Sequence, residues 1–182
     1  MKIGIIIGSV RDGRNGEAVA QWVYKAAEER TDAEFDIVDL KSFNVPILTS
    51  ATIPGAANKH YDDPAVAAWS KAIDEQDGFV FVTPEYNHGV PGALKNAFDS
   101  LGAEWAGKAV AFVSYGADGG IRAVEQWRQI VANFHMVDVR SQVALSLFTD
   151  FGPEGLAPIE RRAGELTGLL DNLVDATTKV RA

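Results

Sequence analysis

"GIIIGSVRDGRNGEAVAQWV", residues 4–23, decides the fold. An apolar run over residues 3–7 stops at Gly8. A loop follows that carries Ser9, Arg11, Gly13, Arg14, Asn15 and Gly16. Ala18, Val19, Trp22, Val23, Ala26 and Ala27 then recur at helical spacing. This is a strand, a glycine-rich loop and a helix. The loop ends on a helix N-terminus, where free N–H groups and the helix dipole favour an anion.

The same alternation runs down the chain. Ile-, Val- and Phe-rich runs at 35–40, 79–83, 109–114 and 136–147 read as strands. Helical stripes lie between and after them. Val66, Trp69, Ala72 and Ile73 form one, opened by Asp63-Pro64. Leu94, Ala97, Phe98 and Leu101 form the next, followed by Ile121, Val124, Trp127, Val131 and Phe134. Ile159, Ala163, Leu166, Leu170, Leu173 and Thr177 form the last. Five β–α units predict an α/β fold in which a parallel sheet carries helices on both faces, as a single domain over residues 1–182. Val137, Val139, Val143, Leu145 and Leu147 alternate with polar residues, which suits a half-exposed edge strand. The connection 41–63 is long, and Phe43, Val45, Ile47, Leu48 and Tyr61 predict that it folds down onto the body.

Composition narrows the function. The 182 residues carry a net charge of −8, which disfavours nucleic acid and anionic membranes as partners and makes the basic loop a local exception. Without cysteine there is no disulfide, thiolate metal site or cysteine nucleophile, so redox chemistry requires a bound cofactor. No signal peptide or membrane span is visible, and the expected location is cytoplasmic.

Ligands of open parallel sheets bind outside the carboxyl ends of the strands, here at loops 8–16, 83–91 and 114–120. In the first loop Ser9 and Asn15 offer hydrogen bonds and Arg11 and Arg14 charge-assisted ones, while Gly8, Gly13 and Gly16 let the backbone approach. Gly8 to Gly13 has the spacing of a nucleoside-triphosphate loop, but Arg14-Asn15 stands where Lys-Ser/Thr is required. The dinucleotide pattern lacks its first G-x-G, and Asp39 lies too far along to serve as its ribose acid. A terminal phosphate such as that of FMN remains. In the second loop Pro84 and Pro91 add stiffness and Gly89 and Gly92 leave the backbone bare, which suits the edge of a flat ring. Tyr86 can stack on such a ring and Asn87 can bond its pyrimidine end; His88 is expected to be a solvent-facing turn residue. In the third loop Tyr115 and the glycines after it can close over the same ring. His60 and His135 do not suggest a metal pair, and no metal site is expected.

Together, GSVRDGRNG, TPEYNHGVPGALKNAFDSL and VSYGADGG resemble the NADPH-dependent FMN reductase family of flavodoxin-like proteins over residues 1–150. The resemblance implies strand order 2-1-3-4-5 and bound FMN. It places Ser9, Arg11 and the glycine-rich loop end on the phosphate, with Arg14, Asn15 and Gly16 alongside. Pro84, Glu85, Tyr86 and Asn87 would line the isoalloxazine, and Ser114, Tyr115, Gly116, Gly119 and Gly120 its other edge. It further implies hydride transfer from NADPH or NADH through FMN to a small-molecule acceptor (quinone, azo dye, chromate or flavin) by a ping-pong mechanism. No catalytic side chain is required, and the assembly would be a dimer or tetramer. A flavodoxin-type single-electron carrier is the alternative, which the acidic charge suits.

Overall fold

The computed structural model describes residues 1–182. Strands β1 (Lys2–Ile7), β2 (Glu34–Asp39), β3 (Gly78–Pro84), β4 (Ala109–Gly116) and β5 (Val137–Ser146) form one parallel sheet in the order β2-β1-β3-β4-β5. The principal helices are α1 (Gly16–Ala27), α3 (Pro64–Asp74), α4 (Gly92–Asp99), α5 (Ile121–Ala132) and α6 (Arg161–Arg181), with a four-residue α2 (Leu40–Phe43) directly after β2. A small antiparallel hairpin, β6 (Phe151–Gly152) with β7 (Gly155–Leu156), precedes α6. Helix α2 and this hairpin are too short to leave a periodic signal in the sequence.

Strand alternation sorts the core into two chemically different layers. Ile3, Ile5, Ile7, Val80, Val82, Ala111 and Val113 face α1 and α6, which answer with Val19, Val23, Leu166, Leu169 and Leu173. That layer is aliphatic. Residues of the opposite parity, among them Phe79, Phe81 and Phe112, face α3, α4 and α5, where Trp69, Phe98 and Trp127 lie fully buried with Trp105 from the turn after α4. Their rings meet mostly edge to face, as between Phe81 and Trp127 at 5.4 Å, while Phe98 stacks on Trp105 at 4.7 Å. Both faces of the central strands are covered, so β3 and β4 are buried along their whole length. β5 is the half-exposed edge expected from its alternation, and its register to β4 shifts between Val110 and Phe112.

The 41–63 connection divides. Phe43, Val45 and Tyr61 pack against the aromatic layer, as expected. Ile47, 74% exposed, does not, and Leu48 is also exposed. The Asn96 side chain pins the backbone there, donating to the Pro46 carbonyl at 2.8 Å and accepting from the Leu48 N–H at 2.9 Å, and so fixes the chain without burying its side chains.

The end of β5 is tied to α6 by a buried ion pair. Asp150 is wholly buried and accepts from Arg162 Nε at 3.0 Å and Nη2 at 3.1 Å, and from the N–H groups of Ser146 and Ile159. Burial by itself would raise the carboxyl pKa, but the Arg162 and backbone bonds outweigh it and hold Asp150 below its ordinary range. A carboxylate depressed on folding contributes stability above the unfolded-state value of about 4, and loses it as pH falls through the lower folded value. Asp150→Asn, which leaves Arg162 without this partner, is expected to cost about 3–5 kcal/mol at neutral pH. Urea titrations across pH should show a shallower acid-side loss in the variant than in the wild type.

Candidate functional site

The carboxyl ends of β1, β3 and β4 open into a cavity of about 310 Å³, at the lower end of the range of small-molecule sites of about 300–1,000 Å³. Ser9, Arg11, Gly13, Arg14 and Asn15 line it from the first loop, Pro84, Glu85 and Tyr86 from the second, and Tyr115 and Gly116 from the third. Leu147, just past β5, completes the wall. The three loops chosen from the sequence therefore converge. Leu147 was read only as part of an alternating edge strand; its position at a strand's carboxyl end was the signal for a second role.

The two arginines, equivalent in the sequence, have different partners. Arg14 reaches the end of β2, where Nη1 and Nη2 donate to the two Asp39 oxygens at 2.7 and 2.5 Å, and Nη1 also donates to the Ser9 carbonyl at 2.7 Å. Its side chain is only 8% exposed. Asp39 also accepts from the Lys41 N–H, capping α2. Burial pushes the Asp39 pKa up, but the Arg14 and Lys41 bonds prevail and keep it below its usual value. Arg14 thus braces the loop with its charge balanced. Arg11 forms no ion pair, is exposed, and places its guanidinium carbon 5.7 Å from the Tyr86 ring centroid.

Helix α1 begins without a side-chain cap, and the N–H groups of Glu17 and Ala18 find no acceptor in the protein. Helix α5 differs. Its first-turn N–H groups, from Arg122 at 3.0 Å and Ala123 at 3.4 Å, are taken by the Glu85 carboxylate, which also pairs with Arg122 Nη1 at 2.7 Å. Glu85 lines the cavity as expected, yet its carboxylate is committed to closing α5. Of the helix N-termini at this edge, that of α5 is sealed by a protein anion, and that of α1 is open beside a free cation.

The second loop turns back tightly. Tyr86 and Gly89 exchange backbone bonds at 3.0 and 3.1 Å, with Asn87 and His88 between them at φ 50 and 66°. This is a two-residue turn of the type that needs left-handed backbone at both central positions. Both residues are exposed, which agrees with the expectation for His88, and Asn87 lies at the tip of the turn beside the cavity-lining Tyr86. Gln126 of α5 secures the turn through the His88 carbonyl at 2.8 Å and the Val90 N–H at 3.2 Å. The Tyr86 hydroxyl crosses to the first loop and lies 2.7 Å from Ser9 Oγ.

The third loop is braced from within. Ser114 is fully buried and donates its hydroxyl to the Gly119 carbonyl at 2.6 Å. A Cβ on Gly119 would come within 3.0 Å of Ala144, and one on Gly120 within 2.9 Å of Ser114 Cβ, with both glycines at φ 74°. These three residues set the shape of the loop. Gly16 is also a spacer, since a Cβ there would lie 2.8 Å from the Tyr115 hydroxyl oxygen. Burial drives the Tyr115 phenol well above its ordinary pKa, so it is neutral at physiological pH.

The profile of the NADPH-dependent FMN reductase family matches residues 1–150. An NAD(P)H-dependent FMN reductase of Nectria is 40% identical over 129 residues, which cover 69% of this chain and 64% of that protein, a little under two thirds of its length. The NAD(P)H-dependent FMN reductase of Saccharomyces cerevisiae is 34% identical over 168 residues, 87% of this chain and 85% of the relative. Among solved structures, a flavoenzyme NAD(P)H:acceptor oxidoreductase from Paracoccus denitrificans superposes with a TM-score of 0.76 at 23% identity, covering 98% of this chain and 97% of the other, a likeness of fold.

The approach of α1 to β4 is testable by rescue. Gly16→Ala should destabilise the protein by about 1–3 kcal/mol through overpacking against the Tyr115 hydroxyl. Adding Tyr115→Phe, which removes that oxygen, should recover most of the loss in chemical denaturation. A double variant no more stable than Gly16→Ala would contradict the contact.

Proposed function

Since the chain belongs to the NADPH-dependent FMN reductase family, we propose that the cavity holds FMN and that the protein passes reducing equivalents from NAD(P)H to a small-molecule acceptor. The observation that carries this reading is the open N-terminus of α1 beside the uncommitted Arg11. An FMN phosphate there would accept from the Glu17 and Ala18 N–H groups, from Ser9 and Asn15 of the same loop, and from Arg11. Gly13, at φ 62° with no atom within 4 Å of a Cβ, leaves that approach clear. Pro84, Tyr86, Tyr115 and Gly116 would frame the ring. The residues present fit the cofactor in charge, in free donors and in space.

Bound FMN supplies the hydride exchange. The chain's part is to hold the ring, set hydrogen bonds at its edge and limit water. For a quinone the balance is NAD(P)H + H⁺ + quinone → NAD(P)⁺ + hydroquinone. Reductant and acceptor would use one open side of the cavity in turn, giving ping-pong kinetics and parallel double-reciprocal lines. No side chain need act as acid or base. His88, exposed in its turn, is the nearest histidine, and His88→Ala should reduce kcat by far less than the ~10²–10⁴-fold loss that marks a general acid. The single-electron-carrier alternative predicts no NAD(P)H oxidation above that of free FMN.

The remaining expectations stand as proposals. Exposed Ile47 and Ile53, both 74% accessible, support a dimer or tetramer, which light scattering tests. A cytoplasmic location accords with the finding that no helix is long and apolar enough to cross a membrane.

The phosphate assignment yields a discriminating pair of variants. One hydrogen bond to a charged group contributes about 1.5–3 kcal/mol. At about 1.4 kcal/mol per tenfold, Arg11→Ala should weaken FMN by roughly ten- to a hundred-fold with Tm unchanged. Arg14→Ala should lower Tm as well, because it releases Asp39 and the loop. Riboflavin, lacking the phosphate, should bind wild type weakly and be insensitive to Arg11→Ala. Fluorescence titration measures the affinities and thermal denaturation the Tm values, and equal FMN and riboflavin affinities would overturn the assignment.

A further inference from the structure

Leu147 is the only branched aliphatic side chain lining the cavity, whose other walls are glycine, proline, tyrosine and polar or charged residues. Next to it, Phe148 is 80% exposed, the most exposed large apolar side chain of the protein. An apolar pair in a slack surface loop would need no explanation. This pair is not in a slack loop. Thr149 and Asp150 donate their N–H groups to the Ser146 carbonyl at 3.2 and 2.8 Å, closing a tight turn beneath it. The Ser146 hydroxyl accepts from the Phe148 N–H and donates to the Ala117 carbonyl, both at 3.2 Å. Leu147 donates its N–H to the Gly116 carbonyl at 3.0 Å, which joins the turn to the cavity's third loop. Below sits Asp150, wholly buried and paired with Arg162. The turn is anchored to the core at its base and to the cavity wall at its side, and it sets Leu147 in that wall with exposed Phe148 next to it in the chain.

We propose that Leu147 and Phe148 form a fixed apolar lip that selects flat, hydrophobic acceptors, quinones with a fused ring in particular, over small hydrophilic oxidants. This rests on the function proposed above. The cavity's interior is polar and suited to a phosphate and a ring edge, so apolar selection of a second ligand falls to the one apolar element at its rim. Covering the exposed face of an aromatic ligand with a leucine and a phenylalanine removes apolar surface from water on both partners. The tight turn means that little ordering accompanies binding.

The test uses the FMN-loaded protein, with Leu147→Ser and Phe148→Ser singly and together, and Leu147→Ile with Phe148→Tyr as the conservative control. Both positions are exposed, and FMN stoichiometry with circular dichroism verifies that each variant is folded and loaded. Two quantities are read: the Kd of 2-methyl-1,4-naphthoquinone by equilibrium dialysis, and the ratio of kcat/KM for that quinone to kcat/KM for ferricyanide with NADPH as reductant. In the double serine variant the Kd should rise, and the ratio fall, by about tenfold. The conservative variant should keep both within about twofold. Folded serine variants with wild-type quinone Kd and an unchanged ratio would overturn the lip. Failure of the wild type to bind FMN would overturn the proposed function and the lip with it, whereas a loaded wild type with unchanged serine variants would overturn the lip alone.

Discussion

The site depends on the reversal of strand order at β1. That strand pairs with β2 on one side and with β3 on the other, so the chain must build outward in both directions from it. The helix after β1 then lies on the aliphatic face, and the helix after β3 on the aromatic one. Their connecting loops part at the carboxyl edge, and a crevice follows from topology before any side chain is chosen. Close packing on both faces keeps it in register. Gly16 lets α1 approach the sheet closely at the Tyr115 hydroxyl and the Ile7 side chain, which brings the helix N-terminus to the cavity.

Within that frame, carboxylate partners fix the loops. Asp39 holds Arg14 and the first loop, Glu85 closes α5 and braces the second against the third, and Asp150 with Arg162 holds the turn after β5. Each acidic group is satisfied by an arginine and by backbone N–H groups. What is left over is Arg11 and the open end of α1. A protein with a net charge of −8 thereby offers a local anion site, because its acids near the cavity are already engaged.

The strands were legible because buried parallel strands are short apolar runs between turn residues, and β5 because an edge alternates. The three site loops were legible from their place after those strands and from their glycines and prolines. Side-chain commitments were not. Arg11 and Arg14 look alike in the chain, and only the fold brings Asp39, 25 residues away, to one of them. Glu85 meets α5 across 37 residues. Ser114, Gly119 and Gly120 have the composition of a binding loop, and only the fold shows that they also pack it tightly from behind. Asn87 offers hydrogen-bonding capacity in the sequence, and only the fold shows that it also supplies left-handed backbone to the turn. Leu147 fitted the alternation of β5 so well that its place at a ligand-facing strand end was passed over.

The central claim is that the open N-terminus of α1, and not the sealed one of α5, receives the cofactor's phosphate. Backbone amide resonances followed during titration with FMN test this directly. The account predicts large downfield shifts for the Glu17 and Ala18 N–H groups as they acquire a phosphate acceptor, with much smaller changes at Arg122 and Ala123, whose N–H groups already bond to Glu85. Riboflavin should leave the Glu17 and Ala18 signals close to their free positions. Large shifts at the start of α5 with none at the start of α1 would contradict it.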